Sequence, residues 1–239
     1  MKLTAEGIYH KLKSNFKFIG ADGYIRFNLR DYDIVVEQNN VVGNILEEWL
    51  AKWLDSEGIE NVHNQRQASP DFWLDKEKSN EGWLEVKSFI GSPNFDIGAF
   101  RSYINEIIDH PWKLHAKYLL IKYKMEENGG LVVIEDFWLK NVWEIACTSA
   151  AWPLKVQCKR GVINNIRPAT WYSERSDFRP FDCLEDFLAA LEQTIYKYHD
   201  TNNLADHWSE RLCESYFKYY GKRLNLPRWM DVKHKYLTD

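Results

Sequence analysis

Residues 70–87 of the 239-residue chain read PDFWLDKEKSNEGWLEVK, and this stretch decides the fold. Two short apolar runs, at 72–74 and 83–87, flank a polar stretch, which is the pattern of an antiparallel β-hairpin. The second run carries two charged residues, Glu85 and Lys87, in a strand whose other side chains are apolar. A surface hairpin with solvated charges has the same pattern, so the surroundings of these charges decide whether they carry chemistry.

The geometry of a hairpin brings three charged side chains together. If the turn lies in the middle of the polar stretch, Asp71 stands opposite Glu85 or Val86. Because side chains alternate between the two faces of a strand, Glu85 and Lys87 share one face. We therefore expect Asp71, Glu85 and Lys87 to meet at one end of a sheet.

This set of side chains suits the hydrolysis of a phosphodiester. Two carboxylates a few ångströms apart repel each other strongly unless a cation lies between them. Mg²⁺ prefers oxygen ligands and takes few of them from protein, so Asp71 and Glu85 are candidate ligands. The ammonium group of Lys87 can orient the attacking water or stabilise the charge that develops on a phosphate. The sequence predicts a Mg²⁺-dependent nuclease with Asp71, Glu85 and Lys87 as its catalytic residues.

The motif in the hairpin resembles a known nuclease signature. Pro70-Asp71, followed after thirteen residues by Glu85-Val86-Lys87, is similar to the signature of the PD-(D/E)xK nucleases, a superfamily that includes most type II restriction endonucleases. A narrower resemblance covers most of the chain and is to the NgoBV/NlaIV-type restriction endonucleases. The stretches that carry it are, in chain order, VVGNILEEWL, SPDFWLD, LEVKSF, SPNFDIGAF, WPLKVQCKRGVINNIRP and WYSERS.

This resemblance implies an activity, a cofactor and partners. It implies a Mg²⁺-dependent enzyme that cuts double-stranded DNA at a short palindromic site, with GGNNCC suggested by the family alone, and a modification methyltransferase in the same host. We expect a homodimer, because one active site cuts one strand and two-fold symmetry matches a palindrome. Two rival functions stay open. One is a structure-specific repair or junction nuclease on the same core, and the other is a noncatalytic DNA-binding protein.

The helix that precedes the hairpin offers a further acid. Residues 43–54 place apolar side chains on one stripe, and in the superfamily such a helix often supplies another metal ligand. Glu47 and Glu48 are the candidates, and periodicity alone does not choose between them. We favour Glu48, which stands at the margin of the stripe, as support for the metal. The backbone carbonyl of Val86 is a further candidate ligand.

The remaining patterns predict an α/β fold with a mixed β-sheet flanked by helices. The resemblance makes this a restriction-endonuclease-like core, with an additional β-hairpin and a helical C-terminal region. We expect one endonuclease domain over 1–239, with a catalytic core at about 43–145 and a DNA-recognition and helical region at about 150–239. Predicted helices cover 4–16, 43–54, 95–109 (capped by Asn94 or Asp96), 138–145, 184–198 and 206–220, and predicted strands cover 23–29, 32–37, 117–124, 131–139 and a pair within 155–166 around Gly161, with Asn128-Gly129-Gly130 as a turn.

A basic segment lies within 155–180, on an otherwise acidic chain. It contains six Lys and Arg residues against two acids, while the whole chain carries a net charge of −4. Arg and Lys can recognise guanine, Gln and Asn can recognise adenine, and a β-ribbon can enter the major groove. A solvated hairpin would have the same composition. The candidate DNA-binding residues are Lys155, Gln157, Lys159, Arg160, Asn164, Asn165, Arg167 and Arg175.

Composition excludes several other classes of protein. An apolar content of 45% and a charged content of 28% are ordinary for a globular domain. The first residues lead into a polar amphipathic stretch, which is unlike a secretory leader, and no apolar run is as long as a membrane span. The four cysteines have neither zinc-site nor disulfide spacing, so we expect reduced and mostly buried thiols in a cytoplasmic protein.

Overall fold

In the computed structural model, a six-stranded mixed β-sheet holds the hairpin that carries the charged motif. The structure describes residues 1–66, 69–78, 80–126 and 130–237. The chain divides into two units. One comprises Met1–Pro93 and Ala116–Lys140, and the other comprises Asn94–His115 and Asn141–Asp239.

The secondary structure follows the predicted alternation of helices and strands. The α-helices are α1 (Ala5–Lys11), α2 (Val42–Ser56), α3 (Phe100–Asp109), α4 (Leu184–Lys197), α5 (Trp208–Tyr220) and α6 (Trp229–Val232). The strands are β1 (Asp22–Tyr24), β2 (Arg26–Leu29), β3 (Tyr32–Val35), β4 (Val62–His63), β5 (Phe72–Trp73), β6 (Trp83–Phe89), β7 (Gly98–Ala99), β8 (Lys117–Met125), β9 (Leu131–Asn141), β10 (Val156–Lys159) and β11 (Val162–Ile166). A π-helical turn (Leu12–Phe16) follows α1, and short 3₁₀ turns cover Asn39–Val41, Pro111–His115, Val142–Glu144, Asn202–Leu204 and Lys233–Lys235.

The large sheet has the strand order β1-β9-β8-β6-β5-β4. Strands β5 and β6 pair antiparallel, with Phe72 opposite Leu84 and Trp73 opposite Trp83, so the predicted hairpin is confirmed. Strands β6 and β8 pair parallel, which requires a long crossover, and α3 lies between them in the chain. The prediction of a mixed rather than doubly wound parallel sheet is therefore confirmed.

The first unit buries its core between α1, α2 and this sheet. The predicted apolar stripe of α2 is buried through Leu50, Trp53 and Leu54, whereas its first member, Ile45, is 43% exposed and the neighbouring Leu46 is buried instead. Phe72 and Leu84 are buried in the same cluster. Since Leu84 points into the core, its neighbour Glu85 points to the other face of β6.

The second unit contains a small sheet of order β10-β11-β7 together with helices α3 to α6. A β-bulge in the predicted strand pair sets Gln157 opposite Asn165 and Cys158 opposite Ile163. The buried Trp208 of α5 donates its indole N–H to the Ile104 carbonyl at 2.9 Å. Among the described residues, no helix is both long enough and apolar enough to cross a membrane.

Two predicted helices and the expected burial of the cysteines need correction, and two predicted turns fall outside the described residues. The predicted helix 95–109 begins only at Phe100, without a side-chain cap, because Arg167 binds the side chain of Asp96 and the carbonyl of Asn94. The predicted helix 138–145 is wrong over its first half, where β9 continues to Asn141 and only a 3₁₀ turn follows. The predicted turns at Ser79 and at Asn128-Gly129 lie on residues outside the described ranges. All four cysteines are free, but only Cys147 is buried.

Candidate active site

The three residues of the sequence motif lie together in one polar cleft. Asp71 directly precedes β5, while Glu85 and Lys87 stand two residues apart on β6. The Nζ atom of Lys87 is 2.7 Å from Oε1 of Glu85, and Asp71 Oδ2 accepts a hydrogen bond from the Val86 backbone N–H at 2.7 Å. The cleft has a volume of about 490 Å³, and its lining residues are Asn44, Glu47, Glu48, His63, Asn64, Gln65, Arg66, Ser69, Asp71, Glu85 and Lys87. Asp71 and Glu85 therefore face the same space.

Burial and the presence of two carboxylates make negative charge unfavourable in this cleft. Burial, followed by repulsion from Glu85, raises the pKa of Asp71. Burial alone would lower the pKa of Lys87, but attraction to Glu85 and Asp71 outweighs that effect, and its pKa is raised. One lysine thus faces two acids, and additional positive charge would stabilise both acids in their ionised form.

Glu85 is held firmly on both of its oxygens. Its residue is 5% exposed, and the hydroxyl of Ser69 donates a hydrogen bond to Oε2 at 2.8 Å while Lys87 binds Oε1. These contacts fix the carboxylate in one orientation, as an enzyme requires for a ligand or catalytic group. They also mean that Lys87 or Ser69 must share an oxygen with any cation that binds here.

Glu47 is the acid of α2 that interacts with this cluster. Its negative charge contributes to the raised pKa values of both Asp71 and Lys87. Its Oε1 is 2.9 Å from His63 Nε2, and the His63 ring stacks on Phe72 at 4.8 Å. Glu48, which the sequence analysis favoured, is exposed and also lines the cleft. Both acids line the cleft, and the charge of Glu47 is among those that raise the pKa values of Asp71 and Lys87.

The donor set fits a hard divalent cation that keeps most of its water. Two carboxylates, from Asp71 and Glu85, converge where burial and mutual repulsion disfavour their joint ionisation. In the described ranges, no three His, Cys, Asp or Glu side chains are arranged to hold a metal by themselves. A dedicated protein cage of the zinc or calcium type is therefore not seen in that part of the chain, whereas Mg²⁺ commonly uses one or two carboxylates and several waters.

Sequence reasoning missed the residues that hold this site in place. Asn64 is buried, donates its side-chain N–H to the Pro70 carbonyl at 2.9 Å and its backbone N–H to the Asp71 carbonyl at 2.8 Å. Ser69 and His63 hold Glu85 and Glu47 respectively. Strand β4 is only two residues long, so no periodic pattern marks this segment as part of the site.

The predicted DNA-binding residues belong to the second unit and fall into two groups. The first group is bound within the protein. Lys155 donates a hydrogen bond to the Pro168 carbonyl at 2.9 Å. Asn165 and Arg167 both bind Asp96, and Asn165 also contacts Gln157. The second group is exposed: Lys159, Arg160 and Asn164 belong to the β10–β11 hairpin, and Arg175 follows it in the chain. The exposed group is the part of the basic segment that is available to a polyanion.

Removing the charge of Asp71 is expected to stabilise the metal-free protein. The pKa of Asp71 is raised from 3.8 to about 7, so the folded protein binds this proton more tightly than the unfolded chain does. Stability is therefore lost as the pH rises through this window. Asp71→Asn keeps an oxygen for the Val86 N–H and removes the charge. We expect its free energy of unfolding in EDTA to exceed that of the wild type by about 1–3 kcal/mol at pH 8, with a smaller difference at pH 5.

Thermal unfolding in EDTA at the two pH values measures this effect. Asp75→Asn is the control on the same hairpin, because the hydrogen bond from Lys2 lowers the pKa of Asp75 and its charge is satisfied. The control should show no gain in melting temperature. A lower melting temperature for Asp71→Asn than for the wild type at pH 8 would contradict the inferred repulsion.

Comparisons with known proteins extend over both units. A family model described as NgoBV restriction endonuclease matches residues 2–236. The chain is 44% identical over 240 residues to the type II restriction enzyme NlaIV of Neisseria lactamica, covering 99% of this chain and 98% of the relative. It is 41% identical over 163 residues to the type II restriction enzyme NgoBV of Neisseria gonorrhoeae, covering 67% and 92%. A solved structure of the NlaIV restriction endonuclease matches with a TM-score of 0.95 at 42% identity, covering 100% and 98%.

Proposed function

This chain belongs to the NgoBV restriction endonuclease family and is a type II site-specific deoxyribonuclease, and from that premise we propose that it cleaves double-stranded DNA by Mg²⁺-dependent hydrolysis in the cleft of the β5–β6 hairpin. The observation that carries this proposal is the convergence of Asp71, Glu85 and Lys87 in one polar cleft. The assignment of the PD-(D/E)xK motif to these residues is part of the proposal.

In this mechanism, Asp71 and Glu85 would hold Mg²⁺, and the Val86 carbonyl would be a further ligand. The cation, when bound, supplies Lewis acidity toward a phosphate oxygen and toward water. Lys87 is held by Glu85 at 2.7 Å, from where its ammonium group orients the attacking water and stabilises negative charge on the phosphate. Glu47 would support the cation from α2. We favour it over Glu48 because its charge acts on both Asp71 and Lys87.

The exposed basic residues are the proposed DNA-recognition group. Lys159 and Arg160 stand at the β10–β11 turn, where their side chains can reach guanine edges or phosphates. Asn164 and Arg175 are exposed as well. Lys155, Gln157, Asn165 and Arg167 are proposed to fix the shape of this hairpin, because each has a partner within the protein.

Further parts of the proposal follow from the family and from symmetry. The proposed site is a short palindrome of the type GGNNCC, cut by a homodimer in which each copy hydrolyses one strand. Such an enzyme acts in the cytoplasm beside a DNA methyltransferase that protects the same site in the host genome. The DNA substrate follows from the class of enzyme, whereas the site, the dimer and the methyltransferase are proposals.

Digestion of phage DNA tests this function directly. With Mg²⁺ present, we expect a discrete set of fragments whose sequenced ends share one palindromic sequence, and we expect no cleavage in EDTA. A junction or repair nuclease would give no discrete fragments from linear duplex DNA, and a noncatalytic DNA-binding protein would give no cleavage. Either of these results would reject the proposal.

A further inference from the structure

The β2–β3 hairpin in the first unit exposes one apolar face. It forms a two-stranded sheet of its own, with Phe27 opposite Ile34 and Leu29 opposite Tyr32. These four side chains lie on the same side of the hairpin, because residues two apart in a strand share a face. They are 53–78% exposed, and we call them the apolar face.

The opposite side of this hairpin is polar. Arg26 and Asp33 form an ion pair there at 3.1 Å, and Asn28 lies beside Asp33 in the pairing. Val35, opposite Arg26, is the one apolar residue on this side, and apart from it apolar and polar side chains alternate along both strands, which is typical of a strand with one buried side. A two-stranded hairpin in water is only marginally stable without a covering partner. The alternating pattern predicts that the apolar side is buried, whereas its four side chains are exposed in the single chain. A surface from another molecule that covers the apolar face would remove this disagreement.

We propose that a second copy of this chain covers the apolar face, which makes this hairpin the contact between copies in the proposed homodimer. The apolar face presents roughly 500–600 Å². Two copies packed through this face would bury about 1,000–1,200 Å² in total, which reaches the roughly 1,000 Å² expected of a specific interface.

The charges of the hairpin favour a second copy over DNA. The apolar face has no basic group, whereas surfaces that bind DNA are strongly positive. Arg26 and Arg30 balance Asp31 and Asp33, so two copies brought together do not repel. In a two-fold contact the same surface appears on both sides, and a face of this kind can pack against its own copy. This inference rests on the proposed function, because the need for two copies comes from the two strands to be cut.

Sedimentation velocity of the full chain at micromolar concentration tests this surface. We expect the wild type to be a dimer. Phe27→Glu places a charge in the apolar face and should raise the dissociation constant of the dimer by at least ~100-fold. Asn28→Glu, the neighbouring residue on the polar side, is the matched control and should leave the dimer intact. Because Phe27 is half exposed, the variant should keep its thermal stability, and Leu29→Glu provides a second test with a more exposed residue.

Each outcome decides the inference separately from the enzymatic function. A monomeric wild type, or a dimer that survives both Phe27→Glu and Leu29→Glu, would reject the proposed surface. Loss of the dimer in Asn28→Glu as well would reject the assignment to one face. Digestion of DNA by the wild type is measured in parallel. Site-specific cleavage together with a monomer rejects this inference and the proposed homodimer but leaves the proposed cleavage in the β5–β6 cleft intact, whereas a dimer without cleavage rejects the proposed function.

Discussion

Replacing Glu85 by glutamine is expected to lower the single-turnover rate of DNA cleavage by at least ~10³-fold. Glutamine has the same shape, and its single amide oxygen can still accept the hydrogen bond from Lys87, while its NH₂ group takes the place of the oxygen that Ser69 binds and can donate to the Ser69 hydroxyl. What it lacks is the negative charge that would hold the cation next to the scissile phosphate. The loss should therefore appear in the chemical step, measured by rapid quenching with enzyme and Mg²⁺ in excess over DNA.

Glu81→Gln is the control for this variant. Glu81 lies in the same hairpin, is exposed and pairs with Lys78 at 3.0 Å, so the same chemical change there should leave the cleavage rate unchanged. The affinity of Glu85→Gln for DNA in Ca²⁺ should remain close to that of the wild type, because Glu85 is not part of the proposed DNA-recognition group, which belongs to the second unit. A cleavage rate within ~10-fold of the wild type would remove Glu85 from the proposed site.

Replacing Lys87 by methionine is expected to lower the cleavage rate by ~10²–10⁴-fold. Methionine has a similar length but cannot orient water or stabilise charge on the phosphate. The variant should also be less stable than the wild type in EDTA, because Glu85 and Asp71 lose the cation that offsets their repulsion. Its effect on metal-free stability thus has the opposite sign to that of Asp71→Asn. Rapid-quench cleavage and thermal unfolding in EDTA measure the two effects.

Lys122→Met is the matched control for Lys87. Lys122 lies in the neighbouring strand β8, its side chain is 27% exposed against 23% for Lys87, and it pairs with Glu135 at 3.2 Å. This variant should cleave DNA at the wild-type rate. If Lys87→Met retains full cleavage, or if both lysine variants lose it to the same extent, Lys87 has no specific part in the reaction.

Local sequence patterns were sufficient to predict most of the fold. The hairpin and its approximate register follow from two apolar runs around a polar stretch, and α2 follows from its apolar stripe. The start of α3 was wrong because Asp96 is used by Arg167, a residue 71 positions away in the chain. Such a contact leaves no local signal. The extension of β9 to Asn141 was missed for a similar reason, since stacking of Trp138 on Phe89 favours the strand there.

The sequence predicted the site residues that belong to the β5–β6 hairpin, but not those that other elements bring to it. Alternation along β6 placed Glu85 and Lys87 on one face, and pairing with β5 brought Asp71 to them. Helical periodicity gives the angle between Glu47 and Glu48 but not the direction of the cleft, so our proposal of Glu47 over Glu48 could not be made from the sequence. The contact of Glu47 with His63 joins an α-helix to a strand of two residues and could not be inferred from either.

The most direct test of the central claim is the cleavage rate of Asp71→Asn, measured on supercoiled plasmid at saturating Mg²⁺ alongside its melting temperature in EDTA at pH 8. We expect this variant to be more stable than the wild type without metal and yet to show no cleavage above background. Stability and activity move in opposite directions because the same carboxylate repels Glu85 in the free protein and holds the cation in the working enzyme. Cleavage by Asp71→Asn at the wild-type rate would contradict the assignment of this cleft as the active site.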